Sequence, residues 1–429
     1  MNNKQKNNLF YQIIFGFIIF LIPTNLFFKF FESSAYVNGL QIDYLIPKFY
    51  LIDLAILVSF IFWILENRKT LVKKITKLKN HSLEFISKNK LGTFLIAAII
   101  LRQINSYNLI ASWWYLAKLF EIGLFGLLIY HKRKLLSPIW IMLSLLPTIL
   151  FQSIVGLFQF FNQTPVFGYL FLGETNLNRQ TGLAKQIING VEKILPYGTT
   201  SHPNILGGFL SISIIVLVGL LTIKQIKKKK YHQQPFFYGP IGLAIVTLGL
   251  TFSFSAWLTF LIGICLIFFK FTNKKAFILS IIIIILSPIA IYTLSQYSHN
   301  PSISRRNYLN QSAVNMFNNH ILWGVGLNNF TTQVEEYSPT REVVRFTQPS
   351  HNIFLLLISE TGLIGLSLLT LIVIKSKKLF IKNPQWSKYL LLFTPMLVLD
   401  HYLITNTSML LMGFIFILIS KNFLFQPQK

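Results

Sequence analysis

Two histidines each open a long apolar run: His351 in SHNIFLLLISETGLIGL, Ser350 to Leu366, and His202 in SHPNILGGFL, Ser201 to Leu210. An asparagine follows each, Asn352 and Asn204. Ser and Asn are favoured N-cap residues and Pro203 suits a first turn, so both runs read as helices that begin at these residues. A helix start offers unpaired backbone N–H groups and a partial positive charge, which suits an anion such as a phosphate or diphosphate group. The same residues equally fit plain helix caps. Cations that could join such an anion site lie in two polar stretches, Arg305, Arg306, Arg341 and Arg345 in one and Arg179, Lys185 and Lys193 in the other. Arginine matches phosphate oxygens bidentately, although loop arginines are otherwise only solvated charge. Tyr197, Tyr308, Trp323, Phe330 and Tyr337 in the same stretches could stack on sugar rings or anchor the chain at a bilayer boundary.

Ionisable residues inside apolar runs are costly unless they have a partner or a task. Asp400 and His401 fall near the end of one run, at about the depth of His351. Glu360 follows His351 by nine positions, about 13 Å along a helix and roughly half a turn around it, so the two cannot form one acid–base pair there. A bond from Glu360 to a neighbouring helix is expected. Lys118 and Glu121 share a helix face and read as a buried ion pair, while Asp53 has no assigned role. The eight histidines are scattered, no His-Glu-x-x-His pattern occurs, and outside the apolar runs only Glu335 and Glu336 sit together, so no metal site is expected. A Gly-x-x-x-x-Gly-Lys loop is absent, which speaks against ATP hydrolysis. The single cysteine, Cys265, lies in an apolar run and leaves no disulfide framework. No cofactor is expected.

The elements that would position these residues are helices in a bilayer. The 429-residue chain is 53% hydrophobic and only 12% charged, and its apolar runs repeatedly reach the length of a crossing. About twelve helices are predicted, near 9–28, 46–65, 91–106, 110–130, 136–161, 204–223, 238–253, 254–271, 276–295, 351–374, 387–404 and 407–424. The first is long enough to span and lacks a small-residue cleavage site, so it reads as a retained span. Basic runs at 66–90, 131–134, 224–230, 270–275 and 375–382 fall on alternate turns. Placing all of them in the cytoplasm puts both termini inside and two long loops, 162–203 and 296–350, outside. The chain then divides into five N-terminal spans (1–161), the first loop, four central spans (204–295), the second loop and three C-terminal spans (351–429). The formal charge of +26 becomes a topology signal, helped by contact with anionic lipid, and nucleic acid is not an expected partner. The fold expected is an all-α polytopic membrane protein. Within the second loop, residues 303–330 read as an amphipathic helix and a Gly-rich turn at Gly324 and Gly326.

Four segments in order resemble the O-antigen ligase and polymerase superfamily: YGTTSHPNILGGFL (197–210), RRNYLNQSAVNMFNNHILWGVGLNNF (305–330), SHNIFLLLISETGLIGL with its Glu-x-Gly-x-x-Gly pattern, and LDHYLITNTSMLL (399–411). The resemblance runs from about Gly156 onward. It implies a membrane-embedded glycosyltransferase, of the class called GT-C, that takes glycan from an undecaprenyl-diphosphate carrier at the outer face of the cytoplasmic membrane. The acceptor would be a lipid, glycan or protein hydroxyl. It further implies a metal-independent transfer with His351 as general base and arginines holding the diphosphate. Arg305, Arg306, His202, Asn204, Asn352 and Lys193 are the candidate binding residues, with Glu360, Asp400 and His401 in support. This chain has Phe254 and Leu195 where related sequences carry arginine, and Ile321 in place of a proline. The cationic role would therefore fall to Arg305, Arg306 or Lys193. A transporter would instead place charged residues near the midplane on paired repeats, and no repeat accompanies Glu121 and Glu360. A noncatalytic scaffold is a third alternative, and ligase and polymerase are not separated by residue type.

Overall fold

The computed structural model describes residues 3–178, 182–222, 235–269, 272–297, 301–341, 343, 347–382 and 385–420. Arg179, Arg345 and the basic run 224–230 lie outside the described residues. The helices in chain order are α1 (Asn3–Leu21), α2 (Leu51–Asn67), α3 (Leu71–Lys88), α4 (Lys90–Arg102), α5 (Leu109–Lys132), α6 (Pro138–Asn162), α7 (Pro203–Leu221), α8 (Pro235–Leu250), α9 (Phe254–Phe268), α10 (Asn273–Tyr297), α11 (Pro301–Asn319), α12 (Phe330–Tyr337), α13 (Ile353–Lys382), α14 (Gln385–Leu399), α15 (Tyr402–Thr405) and α16 (Thr407–Ser420). A helix stands at each of the twelve apolar runs, on α1, α2, α4 to α10, α13, α14 and α16. Five helical stretches are long and apolar enough to cross a bilayer: Leu109–Leu135, Pro138–Asn162, Pro203–Leu221, Asn273–Tyr297 and Ile353–Lys375. Shorter apolar helices accompany them, and the chain is an all-α membrane protein.

Burial ranks the helices. α7 has 83% of its apolar window inside the protein and forms the centre of the bundle, whereas α10 has 17% and lies at the edge. His202, at the start of α7, is therefore fixed to the most rigid part of the molecule.

Contacts at the helix ends sort the connections into two sets. At one end, Lys132 Nζ donates to Glu66 at 2.8 Å, Tyr11 Oη donates to the same carboxylate at 2.8 Å, and Lys375 Nζ donates to Asn89 Oδ1 at 2.6 Å. This end gathers the basic turns that begin at Glu66, His131 and Lys375. The opposite end carries three long connections, described over 22–50, over 163–178 and 182–202, and over 301–341, 343 and 347–352.

The first of these corrects the sequence expectation, which carried α1 to residue 28 and began α2 at 46. Pro23 cannot continue the helix, and Thr24 Oγ1 donates to Leu21 O, so α1 stops at Leu21. The apolar residues that follow form strands: β1 (Phe27–Lys29) pairs antiparallel with β4 (Lys48–Tyr50), and β2 (Tyr36–Val37) pairs with β3 (Leu40–Gln41) across Asn38-Gly39. Both turn residues have positive φ, 48° and 82°, the conformation a two-residue hairpin needs. α2 begins only at Leu51, where the Asp53 side chain accepts the Tyr50 N–H at 2.6 Å.

The second connection is built on a buried carboxylate. Glu174 accepts N–H bonds from Val166, Phe167 and Gly168 at 2.6 to 2.7 Å and a bond from Gln159 Nε2 at 2.8 Å. A hairpin follows, β5 (Lys185–Ile188) with β6 (Val191–Ile194). The third connection contains α11, as the pattern predicted, the Gly324 turn and α12.

Candidate functional site

A cavity of about 570 Å³ opens at the long-connection end. One part of its wall carries His202, Asn204, His351, Asp400 and His401, and another carries Asp43, Tyr44, Lys48, Tyr50, Trp114 and Lys118.

His202 reaches the cavity on the strap Pro196–Pro203, which two glutamines of α6 hold. Gln159 accepts the N–H groups of Tyr197 and Gly198 at 3.0 and 2.8 Å and donates to Gly198 O, and Gln152 accepts Thr199 N–H at 3.0 Å. Gly198 needs its lack of a side chain: its φ is +58°, and a Cβ there would collide with Gln152 Oε1. At the end of the strap His202 Nδ1 accepts the Asn204 N–H at 3.1 Å and caps α7. Asn352 caps α13 in the same way, its Oδ1 accepting Phe354 and Leu355 N–H at 3.0 and 3.2 Å. These bonds occupy the Asn204, Phe354 and Leu355 N–H groups, donors that an anion would have used, which leaves side chains as the main means of holding one.

Those side chains converge. The rings of His351 and His401 meet edge to face with centroids 4.9 Å apart. Asp400 Oδ2 accepts Asn204 Nδ2 at 3.0 Å and Ser255 Oγ at 3.1 Å, joining α7, α9 and the α14–α15 turn. His401 Nδ1 and Thr405 Oγ1 are 2.7 Å apart. Arg306, on α11, acts electrostatically on His202, His351, His401 and Asp400. Four buried polar atoms here have no hydrogen-bond partner among the described residues: Tyr402 Oη and Thr407 Oγ1 on the cavity wall, and the two nitrogens His351 Nδ1 and Arg306 Nε. Buried polar groups are normally paired, so such orphans mark a place a ligand would satisfy.

Burial and the Arg306 charge hold all three imidazoles below the ordinary histidine value: His202 at about 4, His401 at about 3, where proximity to His202 also disfavours a second proton, and His351 well below 6.5. The three rings are neutral at neutral pH. Asp400 is pushed up by burial, opposed by Arg306 and by the bonds from Ser255 and Asn204.

His351, Asp400 and His401 each bring a ligand-type atom within 4.8 Å of the others, a set that by type could hold a metal ion. Asp400 Oδ2 is engaged by Asn204 and Ser255, His401 Nδ1 by Thr405, and the Arg306 guanidinium would oppose a cation.

The remaining candidates are scattered. Lys193 Nζ lies over the Phe160 ring at 5.4 Å on β6, and Lys185 pairs with Glu192 at 2.8 Å; neither lines the cavity. Arg305 donates from Nε to Pro301 O at 3.3 Å and acts on His351 through its charge. Glu360 bonds to the start of the neighbouring helix α12, accepting Phe330 N–H at 3.1 Å, and also accepts the N–H groups of Asn328 and Asn329 in the turn before it. Asn328, so placed, lines the cavity and donates to Tyr44 O at 3.1 Å. Phe254 is 63% exposed, pointing away from the clustered histidines' polar bonds, while its neighbour Ser255 makes the bond to Asp400. Tyr197 and Phe330 are packed in the interior, so the rings facing the cavity are Phe27, Tyr44, Tyr50, Trp114, Tyr115 and Tyr169 instead.

The stretch that supplies α11, the Gly-rich turn and the start of α13 also decides the comparison with known families. Residues 240–370 match the O-antigen ligase family. The matched O-antigen ligase region holds Ser255, Arg305, Arg306, His351 and Glu360. His202, Asp400 and His401, and the whole wall from Asp43 to Lys118, come from outside it and meet it only in the fold. No curated protein and no solved structure matches the chain.

Lys118 was legible as half of an ion pair. It donates to Glu121 at 2.8 Å and also to Asp53, which thereby gains its role. That it faces a cavity shared with His351 has no sequence signal, because 233 positions separate the two and only the fold joins them.

Proposed function

We propose that this protein transfers a glycan from a polyprenyl-diphosphate carrier to an acceptor hydroxyl, in a bundle of about twelve spans whose long-connection end faces outward from the cytoplasmic membrane. The observation that carries the reading is a pair of unsatisfied buried nitrogens, His351 Nδ1 and Arg306 Nε, beside the part of the cavity wall that three neutral histidines and Asp400 line. His351 accepts the proton of the acceptor O–H as the oxygen forms its bond to the anomeric carbon. The bond from that carbon to the carrier diphosphate breaks, and the diphosphate leaves with the electron pair. Arg306, with Arg305 behind it, stabilises the charge that develops there. A neutral imidazole is the form able to take a proton, and the arriving diphosphate raises its basicity by cancelling the Arg306 charge. Asn204 and Ser255 fix Asp400, which orients the turn bearing His401. Lys193 and Asn352 support the site indirectly, through the β5–β6 hairpin and the α13 cap.

Purified protein supplied with a glycan on a lipid diphosphate should transfer it, and His351→Ala should lower the rate by about 10²- to 10⁴-fold with an unchanged melting transition. Full transfer by that variant would overturn the reading. In cells, loss of a ladder of surface glycan lengths would identify a polymerase, and accumulation of carrier-bound chains a ligase.

A further inference from the structure

The cavity is longer than the histidine cluster. Past Tyr44, whose ring meets that of His401 at 5.4 Å, it continues between half-exposed rings, Phe27, Tyr50, Trp114 and Tyr169, with the amides of Asn25 and Asn176 among them. Flat rings interspersed with a few amides are suited to a sugar, which offers C–H faces to the rings and hydroxyls to the amides.

The charges at this end are distinctive. Lys48 Nζ pairs with Asp43 at 2.5 Å, Lys29 with Glu32 at 3.4 Å, and Lys118 with both Asp53 and Glu121. Among the described residues here, every ammonium already has a carboxylate, and one carboxylate is in surplus. The Lys48 and Lys118 side chains are only 11% and 5% exposed; Lys118 cannot swing out to meet a new anion without abandoning the buried Asp53, and Lys48 is already engaged by Asp43, itself 67% exposed. The histidine end is the reverse, with the unsatisfied Arg306 beside it.

We propose that this second half of the cavity is the acceptor subsite and that it selects a neutral or amine-bearing sugar against an acidic one. The inference rests on the transfer reading above and adds to it the acceptor's chemical class. A uronic acid placed among these rings would bring a carboxylate next to Asp43 with no free cation to receive it. A carboxylate set beside another with no free cation to receive it discriminates by like-charge repulsion, which the exposure of Asp43 to solvent moderates. The polarity also orients the substrates, diphosphate towards Arg306 and acceptor towards Lys118.

The test uses purified full-length protein, one lipid-diphosphate glycan donor, and three acceptor saccharides that differ only in the terminal residue: glucose, glucosamine or glucuronic acid. A serine-containing peptide serves as a fourth acceptor. The glucuronic acid acceptor should be used at least tenfold less efficiently, in kcat/KM, than the glucose one. Asp43→Asn should narrow that ratio severalfold while leaving the KM for donor unchanged. Equal use of acidic and neutral saccharides by the unsubstituted protein would overturn the proposal, as would transfer to the peptide with none to any saccharide. No transfer to any acceptor would instead remove the underlying transfer reading, so the two failures are distinct. Because the panel is run on the unsubstituted protein, the result does not depend on the folding of the variant.

Discussion

His351 is held neutral by its surroundings, and this sets how the protein should respond to pH. Its pKa lies well below 6.5 because burial disfavours the imidazolium and Arg306 adds to that penalty. kcat/KM reports the free enzyme's groups, so its acid limb should lie below pH 6.5 rather than at it. Arg306→Gln removes the principal neighbouring charge, so the limb should move to higher pH even as the rate falls. A limb that stays in place would show that Arg306 does not act on the base. The same shifts bear on stability, with the sign fixed by proton uptake. His202 and His401 have folded values of about 4 and about 3, so between these and 6.5 the unfolded chain binds more protons than the folded one. Stability should therefore be full above pH 6.5 and decline as pH falls towards 4, as a detergent-solubilised melting series would record. The metal-type set of His351, Asp400 and His401 is checked separately: transfer should be unchanged by EDTA, and loss of activity restored by a divalent ion would mean that the cluster holds a cation.

The Gly-rich turn and α13 are interlocked by backbone bonds, and that clasp is what delivers Asn328 and Tyr44 to the cavity. α13 opens at Gly362, where φ is 60° and ψ −154°, and the turn enters the gap: Val325 N–H donates to Ser359 O, Gly326 N–H to Glu360 O, and Leu363 N–H to Ile321 O, at 2.7 to 2.9 Å. A Cβ on Gly362 would stand 2.6 Å from the Leu322 carbonyl, and one on Gly324 would strike the Glu360 backbone. Gly362→Ala should thus cost more than the roughly 1 to 3 kcal/mol of forcing an alanine into a backbone region that only glycine enters freely, and lower both the melting transition and transfer. Glu360→Gln leaves one acceptor oxygen for three converging N–H groups, and should cost about 1 to 3 kcal/mol through the unpaired donors. Transfer by this variant should fall through KM for acceptor more than through His351 chemistry. The Glu-x-Gly-x-x-Gly pattern marked this place in the sequence, and the apolar runs marked the helices, since a bilayer crossing demands length and hydropathy that few other structures share. The strands β1 and β4 were not legible by that criterion. Phe27–Lys29 is as apolar as a helix end, and only Pro23 and the Asn38-Gly39 pair indicate that the chain turns back instead. Asn189-Gly190, with φ of 50° and 79°, carries the same signal for the second hairpin. Ser255 was hidden for another reason: its bond crosses 145 positions to Asp400, and nothing local to FSFSAW announces it.

The described residues are polarised, with the basic turns 66–90, 131–134 and the one from Lys375 at one end and the cavity at the other, and the transfer reading requires that the membrane separates them. The contacts Lys132–Glu66 and Lys375–Asn89 gather the basic connections, while His202, His351 and His401 surround one cavity at the far end. If Lys and Arg remain on the cytoplasmic side, the cavity must face outward, where a lipid-linked glycan displayed on the outer leaflet can reach it without crossing the bilayer again. The single native cysteine makes this easy to test. In a Cys265→Ser background, cysteines introduced at exposed positions of the cavity end, Asn178 and Val191, should react in intact cells with a thiol reagent that cannot cross the membrane. Cysteines at Lys69 and Lys134, exposed at the basic end, should react only after the membrane is permeabilised. Labelling at Lys69 or Lys134 in intact cells would turn the cavity towards the cytoplasm, where the carrier, the acceptor and the direction of transfer would all have to be different. Labelling confined to Asn178 and Val191 would leave the outward cavity as the only compartment in which His351 and Arg306 could meet both substrates.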